Sequence, residues 1–392
     1  MENGHDYFPF ECFMDTQRAL LNAVHADLAH KLVMLTGPRQ AGKTTLARQL
    51  MQRYPRAQYL NWDVPTDRQI IAGNTWSPRA GLVVFDEIHK MRDWKSFLKG
   101  AWDGRSPEQA MLVTGSARME TFRQGGESLA GRYRSWRLHP FSVRELTEVA
   151  GYSSEAALDR LLVRGGFPEP CLAPSDAEAA RWRLQYANDL VREDVLEFSR
   201  VHEIRSLQLF VDLLRERVGS PVKLSGLAQM LQISPTTAAR YLEILEALYI
   251  VFRVTPWHRD IARAILKEPK IYFFDTGLVK GDIDARLENA VAAMLHKHAH
   301  WCRDAEGREV SLCTIRDKQQ HEIDFVLAEN DRITHLIEVK HGDPVPSAYL
   351  YRLAEQFPDA KALQIVAELR QETQRGRVEV TEAAPWLVTL SA

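Results

Sequence analysis

A chain of 392 residues is longer than one ordinary hydrophobic core can organise, so two or three domains are expected. Its 45% hydrophobic and 26% charged residues describe a globular chain and exclude a disordered or fibrous one. A formal net charge of −2 excludes bulk attraction to nucleic acid, so any such contact has to come from local patches.

The first periodic segment, residues 18–32, is apolar at Leu20, Leu21, Val24 and Leu28, which is helical spacing. An apolar β-type run beginning at Val33 then enters Gly37-Pro38-Arg39-Gln40-Ala41-Gly42-Lys43-Thr44-Thr45, and a helical pattern follows over 46–54. G-x-x-x-x-G-K-T between a strand and a helix is a phosphate-binding loop. Its backbone N–H groups and the helix N-terminus meet a polyphosphate, and the two glycines permit the tight path. In that pattern Lys43 reaches the β- and γ-phosphates and Thr44 places its hydroxyl on Mg²⁺; residues 37–45 are all candidate nucleotide contacts.

Residues 58–62 read as a second strand, ended by Asp63 and Pro65. Residues 81–85 form a continuous apolar strand ending in Asp86-Glu87, the acidic partner of a phosphate loop. Asp86 is the candidate for holding Mg²⁺, directly or through water, and Glu87 for polarising the attacking water. An amphipathic helix follows around Trp94, then a further apolar strand from Met111 leads through Thr114-Gly115-Ser116 to Arg118. Thr114 and Ser116 are candidates for sensing a γ-phosphate, against the alternative of a polar turn after a strand. Behind Gly131, Arg132 is the candidate to reach a neighbouring subunit's γ-phosphate; the alternative is a solvated basic loop.

Taken together, the phosphate loop, Val84-Phe85-Asp86-Glu87-Ile88-His89, Thr114-Gly115-Ser116, Ser128-Leu129-Ala130-Gly131-Arg132 and Pro140-Phe141-Ser142-Val143-Arg144-Glu145-Leu146 resemble the bacterial and archaeal AAA+ ATPase family related to archaeal-type ATPases. The resemblance extends over nearly the whole chain, because such proteins carry a C-terminal domain of unknown function after one ATPase module. It implies Mg·ATP hydrolysis, with ATP and Mg²⁺ as cofactors, and a homo-oligomer in the form of a hexameric ring; Lys43, Glu87, Ser116 and Arg132 are the catalytic candidates their own motifs supply. It implies no particular substrate.

Further on, Gly165-Gly166-Phe167-Pro168-Glu169 resembles a G-G-F-P-E element of the same family. Residues 177–199 form a charged helical pattern with Trp182, Tyr186, Leu190 and Val191 along one side, read as a lid and connector; Arg192, Glu193 and Asp194 read as surface charges. Residues 216–280 have the order of a winged helix: a short helix over 222–231, a turn at Gln232-Ile233, a second helix capped by Ser234 with Pro235 at its first position, and strands at 249–254 and 270–274. A second helix of this kind lies in the major groove, which makes Thr236, Thr237, Arg240 and Tyr241 candidate DNA contacts. Arg259 and Arg263, with Lys267 and Lys270 nearby, supply local positive charge. Glu243 and Glu246 on the same helix keep a purely structural or subunit-contact role open.

In the last third, Glu288 lies in a helix over 286–297 and Asp324 in a strand over 322–327. Glu338 and Lys340 stand two apart on the strand 336–340 and so share a face. Acid, acid and E-x-K in this order resemble the PD-(D/E)xK restriction-endonuclease-like core. There Asp324 and Glu338 would hold a divalent metal, Lys340 would orient water and Glu288 would complete the shell. The alternative is a retained fold that grips DNA or joins subunits.

The fold class expected is α/β throughout: an AAA+ P-loop parallel-sheet ATPase domain (1–150), a helical lid or connector (151–215), a winged-helix domain (216–280) and a restriction-endonuclease-like α/β domain (281–392). The expected function is Mg²⁺-dependent ATP hydrolysis used to bind and remodel DNA, branched or duplex. An ATP-gated nuclease and a nucleotide-switched protein-interaction module are the alternatives. Cys12, Cys171, Cys302 and Cys313 show no metal-ligand spacing, no signal peptide is recognisable, and no apolar run approaches the ~20 residues that span a bilayer. A reducing cytoplasm and no membrane association are expected.

Overall fold

The computed structural model describes residues 17–115, 129–189, 204–257 and 268–391, and the chain divides into two units, Met1–Pro140 and Phe141–Ala392. In the first, α1 (Leu20–Leu28), β1 (Leu32–Thr36), α2 (Lys43–Met51), β2 (Gln58–Asn61), α3 (Pro65–Ala72), β3 (Leu82–Asp86), α4 (Trp94–Gly104), β4 (Ala110–Thr114) and β5 (Tyr133–Arg137) follow in order. The strands form one parallel sheet in the order β2-β3-β4-β1-β5. Every residue of β1, β3 and β4 is buried, which is why these strands are continuous apolar runs rather than alternating ones. Phe85 anchors the core edge-on to Trp76 and Phe97, with ring centroids 5.3 and 5.7 Å away.

The register of this sheet positions the site. Asn61, Asp86 and Thr114 stand side by side at the carboxyl ends of β2, β3 and β4, and Leu35 pairs with Thr114 on the other side. The loop that leaves β1 therefore opens beside the acidic strand end, at the edge where open α/β sheets take ligands.

The second unit begins with helices: α5 (Val143–Ala150), α6 (Ser154–Arg164), α7 (Pro168–Leu172), α8 (Asp176–Asp189), α9 (Ile204–Arg215), α10 (Leu224–Met230) and α11 (Pro235–Ala247). Then come β6 (Val251–Pro256), β7 (Lys270–Phe273), α12 (Ile283–Glu306), β8 (Val310–Arg316), β9 (Glu322–Glu329), β10 (Arg332–Lys340), α13 (Ala348–Gln356), β11 (Lys361–Val366), β12 (Thr373–Arg375), β13 (Val378–Glu382) and α14 (Ala383–Val388). Its eight strands make one mixed sheet, β12-β13-β11-β10-β9-β8-β6-β7. The pair β6–β7, read from sequence as belonging with the winged helix, is continuous with the last third of the chain. β6 is antiparallel to β7 and parallel to β8 through Thr255–Cys313 and Pro256–Thr314. One sheet thus runs across residue 280.

The G-G-F-P-E element has a packing reason. Gly165 has φ +82°, and a Cβ there would lie 2.0 Å from Asp275 Oδ1, the oxygen that accepts the Gly166 N–H at 2.8 Å. Phe167 is buried against Trp182 and Tyr186, which stack on each other with centroids 4.7 Å apart. Leu190, Val191 and the charges at 192–194 lie outside the described residues. Ser234 caps α11 as expected, its Oγ accepting the Thr237 N–H at 3.0 Å, an interaction worth about 1 kcal/mol. Among the described residues no helix is long and apolar enough to cross a membrane.

Candidate active site

The phosphate loop is built by backbone geometry first. Gly37 leaves β1 at φ +143°, and a Cβ on it would lie 2.3 Å from Leu138 O, so only glycine fits. Gly42 caps α2 at φ 95°, and Gln40 also takes a positive φ of 60°. Two contacts outside the motif hold this shape. Arg18, buried ahead of α1, donates to Ala41 O at 2.7 Å and to His139 O. Lys43 Nζ donates to Gly37 O at 2.9 Å and Pro38 O at 2.6 Å, which holds its ammonium over the loop.

At the end of β3, Asp86 is 8% exposed and its carboxylate is oriented from both sides. Oδ1 accepts the Thr114 hydroxyl at 2.6 Å and the Glu87 N–H at 3.1 Å, while Oδ2 accepts the Tyr59 hydroxyl. Burial, then the hydrogen bond to Asp86, pushes the Tyr59 phenol well above its ordinary value, so it stays a donor. Thr44 works against that rise. Tyr59 thereby ties β2 to the acidic strand end. No motif marks it in the sequence; an aromatic residue two before the end of the strand flanking Asp86 is the signal it carries.

Glu87 adopts a left-handed backbone at φ 54°, fixed by its N–H donating to Thr114 O at 3.1 Å. Its Oε2 is buried without a hydrogen bond, with His89 Nε2 3.5 Å and the Lys90 ammonium 3.6 Å away. Burial raises its pKa, Lys90 opposes that, and Asp86 adds to it. A strained, half-desolvated carboxylate beside a second, oriented one is the arrangement a water-activating base requires. Hard oxygens from Thr44 and Asp86 beneath a glycine loop suit Mg²⁺ and a triphosphate, and these residues would hold the pair.

Of the other expected residues, Thr114 sits fully buried against Asp86, while Ser116 and Arg118 lie outside the described residues. Arg132 is engaged within its own chain: Nε and Nη2 make a bidentate pair with Asp103 at 2.9 and 3.0 Å.

The C-terminal acids form a different kind of cluster. Asp324 Oδ2 accepts the Val339 N–H at 2.9 Å; Glu338 Oε2 accepts the Ser347 N–H at 3.2 Å, with Lys340 Nζ 3.8 Å from its Oε1. Burial raises the Glu338 pKa. Lys270, expected from sequence to lend charge to a DNA-facing loop, is instead buried with its side chain 2% exposed. Its Nζ lies 3.0 Å from Glu288 Oε1, 3.6 Å from Asp324 Oδ1 and against Glu322. Burial disfavours the ammonium, but Glu288, Asp324 and Glu322 outweigh it and hold Lys270 charged. Glu288 is pushed up to about 7 by burial and by Asp324. Among the described residues no group of three or more His, Cys, Asp or Glu side chains is disposed to hold a metal ion.

On α11, Thr236 and Arg240 are exposed and Thr237 partly so, with its hydroxyl 2.9 Å from Ser234 Oγ. Tyr241 is buried and packs edge-on to Phe210, which removes it from any DNA-facing surface. Arg259 lies outside the described residues.

The parallel sheet and the phosphate loop at its edge give the N-terminal unit the architecture of an AAA-type P-loop nucleotide-binding module. Residues 29–147 match the family described as AAA domain; residues 155–284 and 284–386 match two domains of unknown function, DUF8612 and DUF4143. Uncharacterized proteins of Mycobacterium tuberculosis and Mycobacterium bovis are each 32% identical over 260 residues, a match spanning 65% of this chain and 57% of each relative. Among solved structures, the Walker-type ATPase of Pyrococcus abyssi is similar at 16% identity and a TM-score of 0.45, covering 70% of this chain and 98% of that one. AMPPCP-bound DnaA from Aquifex aeolicus is similar at 12% identity and a TM-score of 0.34, covering 62% and 93%.

Proposed function

We propose that the chain is a Mg²⁺-dependent ATPase whose turnover is coupled to DNA. The observation that carries the hydrolytic half is the carboxylate pair at the end of β3. Asp86 is oriented by Tyr59, Thr114 and the Glu87 N–H, and Glu87 is held beside it with a buried oxygen that makes no hydrogen bond. When bound, Mg²⁺ neutralises charge on the β- and γ-phosphates. In this reading Lys43 binds those phosphates, Thr44 and Asp86 hold the ion, Glu87 orients the attacking water, and Thr114 keeps Asp86 in place.

The DNA half rests on order and exposure: α10, α11 and the β6–β7 pair follow as in a winged helix, and α11 presents Thr236 and Arg240 outward. The proposed division is an ATPase domain, a helical connector, a winged helix, and an endonuclease-like domain used for binding rather than cutting. Assembly into a ring is part of the proposal, and Arg132 can act in trans only by leaving Asp103.

A second reading, a nucleotide-switched protein-interaction module, is favoured by the exposed Glu243 on the same helix and by the burial of Lys270. ATP turnover and binding measured with single-stranded, duplex and branched DNA across a salt series separate the two. DNA coupling predicts stimulated turnover and an affinity that falls steeply with salt as phosphate contacts release counterions. Unchanged turnover with no DNA bound would sink the first reading and leave the second.

A further inference from the structure

We propose that Lys270 is the resident cation of the C-terminal acid cluster, taking the place of a divalent metal, so that the cluster ties elements together instead of cleaving phosphodiesters. The inference rests on neither the ATPase nor the DNA reading; it bears on the nuclease alternative alone.

Three elements meet at the ammonium. β7 supplies Lys270, α12 supplies Glu288, and β9 supplies Glu322 and Asp324. An ammonium has three N–H donors and no acceptor, and here three carboxylates surround it, Glu288 at 3.0 Å, Asp324 at 3.6 Å and Glu322 in direct contact. A charge this buried stays charged only when so paired.

Two of the carboxylate oxygens a metal would use also accept hydrogen bonds from other protein groups. Glu288 Oε1 also accepts the Tyr272 hydroxyl at 2.6 Å, and Asp324 Oδ2 is held by the Val339 N–H. Backbone approaches Glu288 as well: Gly219, at φ +77°, lies so near that a Cβ would come within 2.5 Å of Glu288 Oε2. Glu338 is turned to the Ser347 N–H and Lys340 instead. The charge of the buried ammonium is thus met by carboxylates of the chain itself. It also explains why a lysine interrupts the otherwise apolar β7, whose four residues are all buried.

The test compares wild type, Asp324→Asn, Lys270→Ala and Lys270→Arg, all full length and nucleotide-free, by Mn²⁺ titration followed by EPR, by thermal melting with and without Mn²⁺, and by plasmid nicking. Because Asp324→Asn leaves the phosphate-loop site intact, only Mn²⁺ binding that this variant loses is assigned to the acid cluster. The expected result is equal Mn²⁺ binding by wild type and Asp324→Asn, and no Mn²⁺-dependent nicking that Asp324→Asn abolishes. Lys270→Ala should melt lower and regain part of the loss in Mn²⁺, whereas Lys270→Arg should melt near wild type without Mn²⁺ dependence. Should Lys270→Ala not fold, the comparison of wild type with Asp324→Asn still decides. Wild-type Mn²⁺ binding or DNA nicking that Asp324→Asn removes overturns the proposal.

Discussion

Replacing Tyr59 by Phe removes one hydroxyl and leaves the ring in place, so it isolates the link between β2 and Asp86. Asp86 would keep the Thr114 hydroxyl at 2.6 Å and the Glu87 N–H at 3.1 Å on Oδ1, but Oδ2 would lose the only side-chain donor described for it. A hydrogen bond to a charged group is worth about 1.5–3 kcal/mol. Tyr59 is only partly buried, so water relieves part of the loss and the lower end applies, about 1.5 kcal/mol or roughly tenfold. Thr114 is 0% exposed, so Thr114→Val leaves an unrelieved defect toward about 3 kcal/mol, on the order of a hundredfold. The assay is steady-state ATP turnover against Mg²⁺ concentration, with thermal melting as a control for folding. Tyr59→Phe should raise the Mg²⁺ requirement and lower kcat/KM by about tenfold, and Thr114→Val by more. Wild-type turnover from Tyr59→Phe, or a larger defect there than in Thr114→Val, would refute the orienting role.

Two further outcomes follow from the same geometry. Lys43→Ala should weaken nucleotide binding, whereas Glu87→Gln should bind Mg·ATP but turn it over at least ~100-fold more slowly, since it keeps the shape and loses the base; binding and single-turnover rates measured together separate these effects. Asp275 governs a pH dependence: burial raises its carboxyl from 3.8 to about 6, against the Gly166 N–H and Arg183. The folded state therefore binds this proton more tightly than the unfolded state. Its contribution of about 3 kcal/mol is complete below the unfolded value and is lost as pH rises through about 6. Asp275→Asn keeps an acceptor for Gly166 and removes the titration, so its melting temperature should gain on wild type between pH 4.5 and 7; parallel curves would remove Asp275 from that role.

What could be read from sequence was contiguous. Gly37 to Thr45, the run ending in Asp86-Glu87 and the Ser234 cap are short segments whose chemistry depends on backbone conformation and neighbouring residues. Their positions in the fold follow the expected strands and helices. Residues whose partners lie far along the chain were less legible. Arg132 meets Asp103 only after the chain crosses β4, and Arg18 supports Ala41 and His139 across the first unit. Tyr241 shares a helix with Arg240, and one position decides that its ring is buried on Phe210 while Arg240 is exposed.

The sequence by itself determined that a phosphate loop, an acidic strand end and a hydroxyl strand end exist, because each is written in a few adjacent residues. Only the tertiary structure decided what they touch. The parallel register puts Asn61, Asp86 and Thr114 abreast and brings Tyr59 to the Asp86 carboxylate. The same holds for the acids of the last third. Glu288, Glu322 and Asp324 are visible as residues, but the cation they surround comes from β7, and pairing between distant strands sets which charge lies among them. Strand register is a long-range property, and it turns a list of candidate acids into one site beside the phosphate loop and one cluster closed by a lysine.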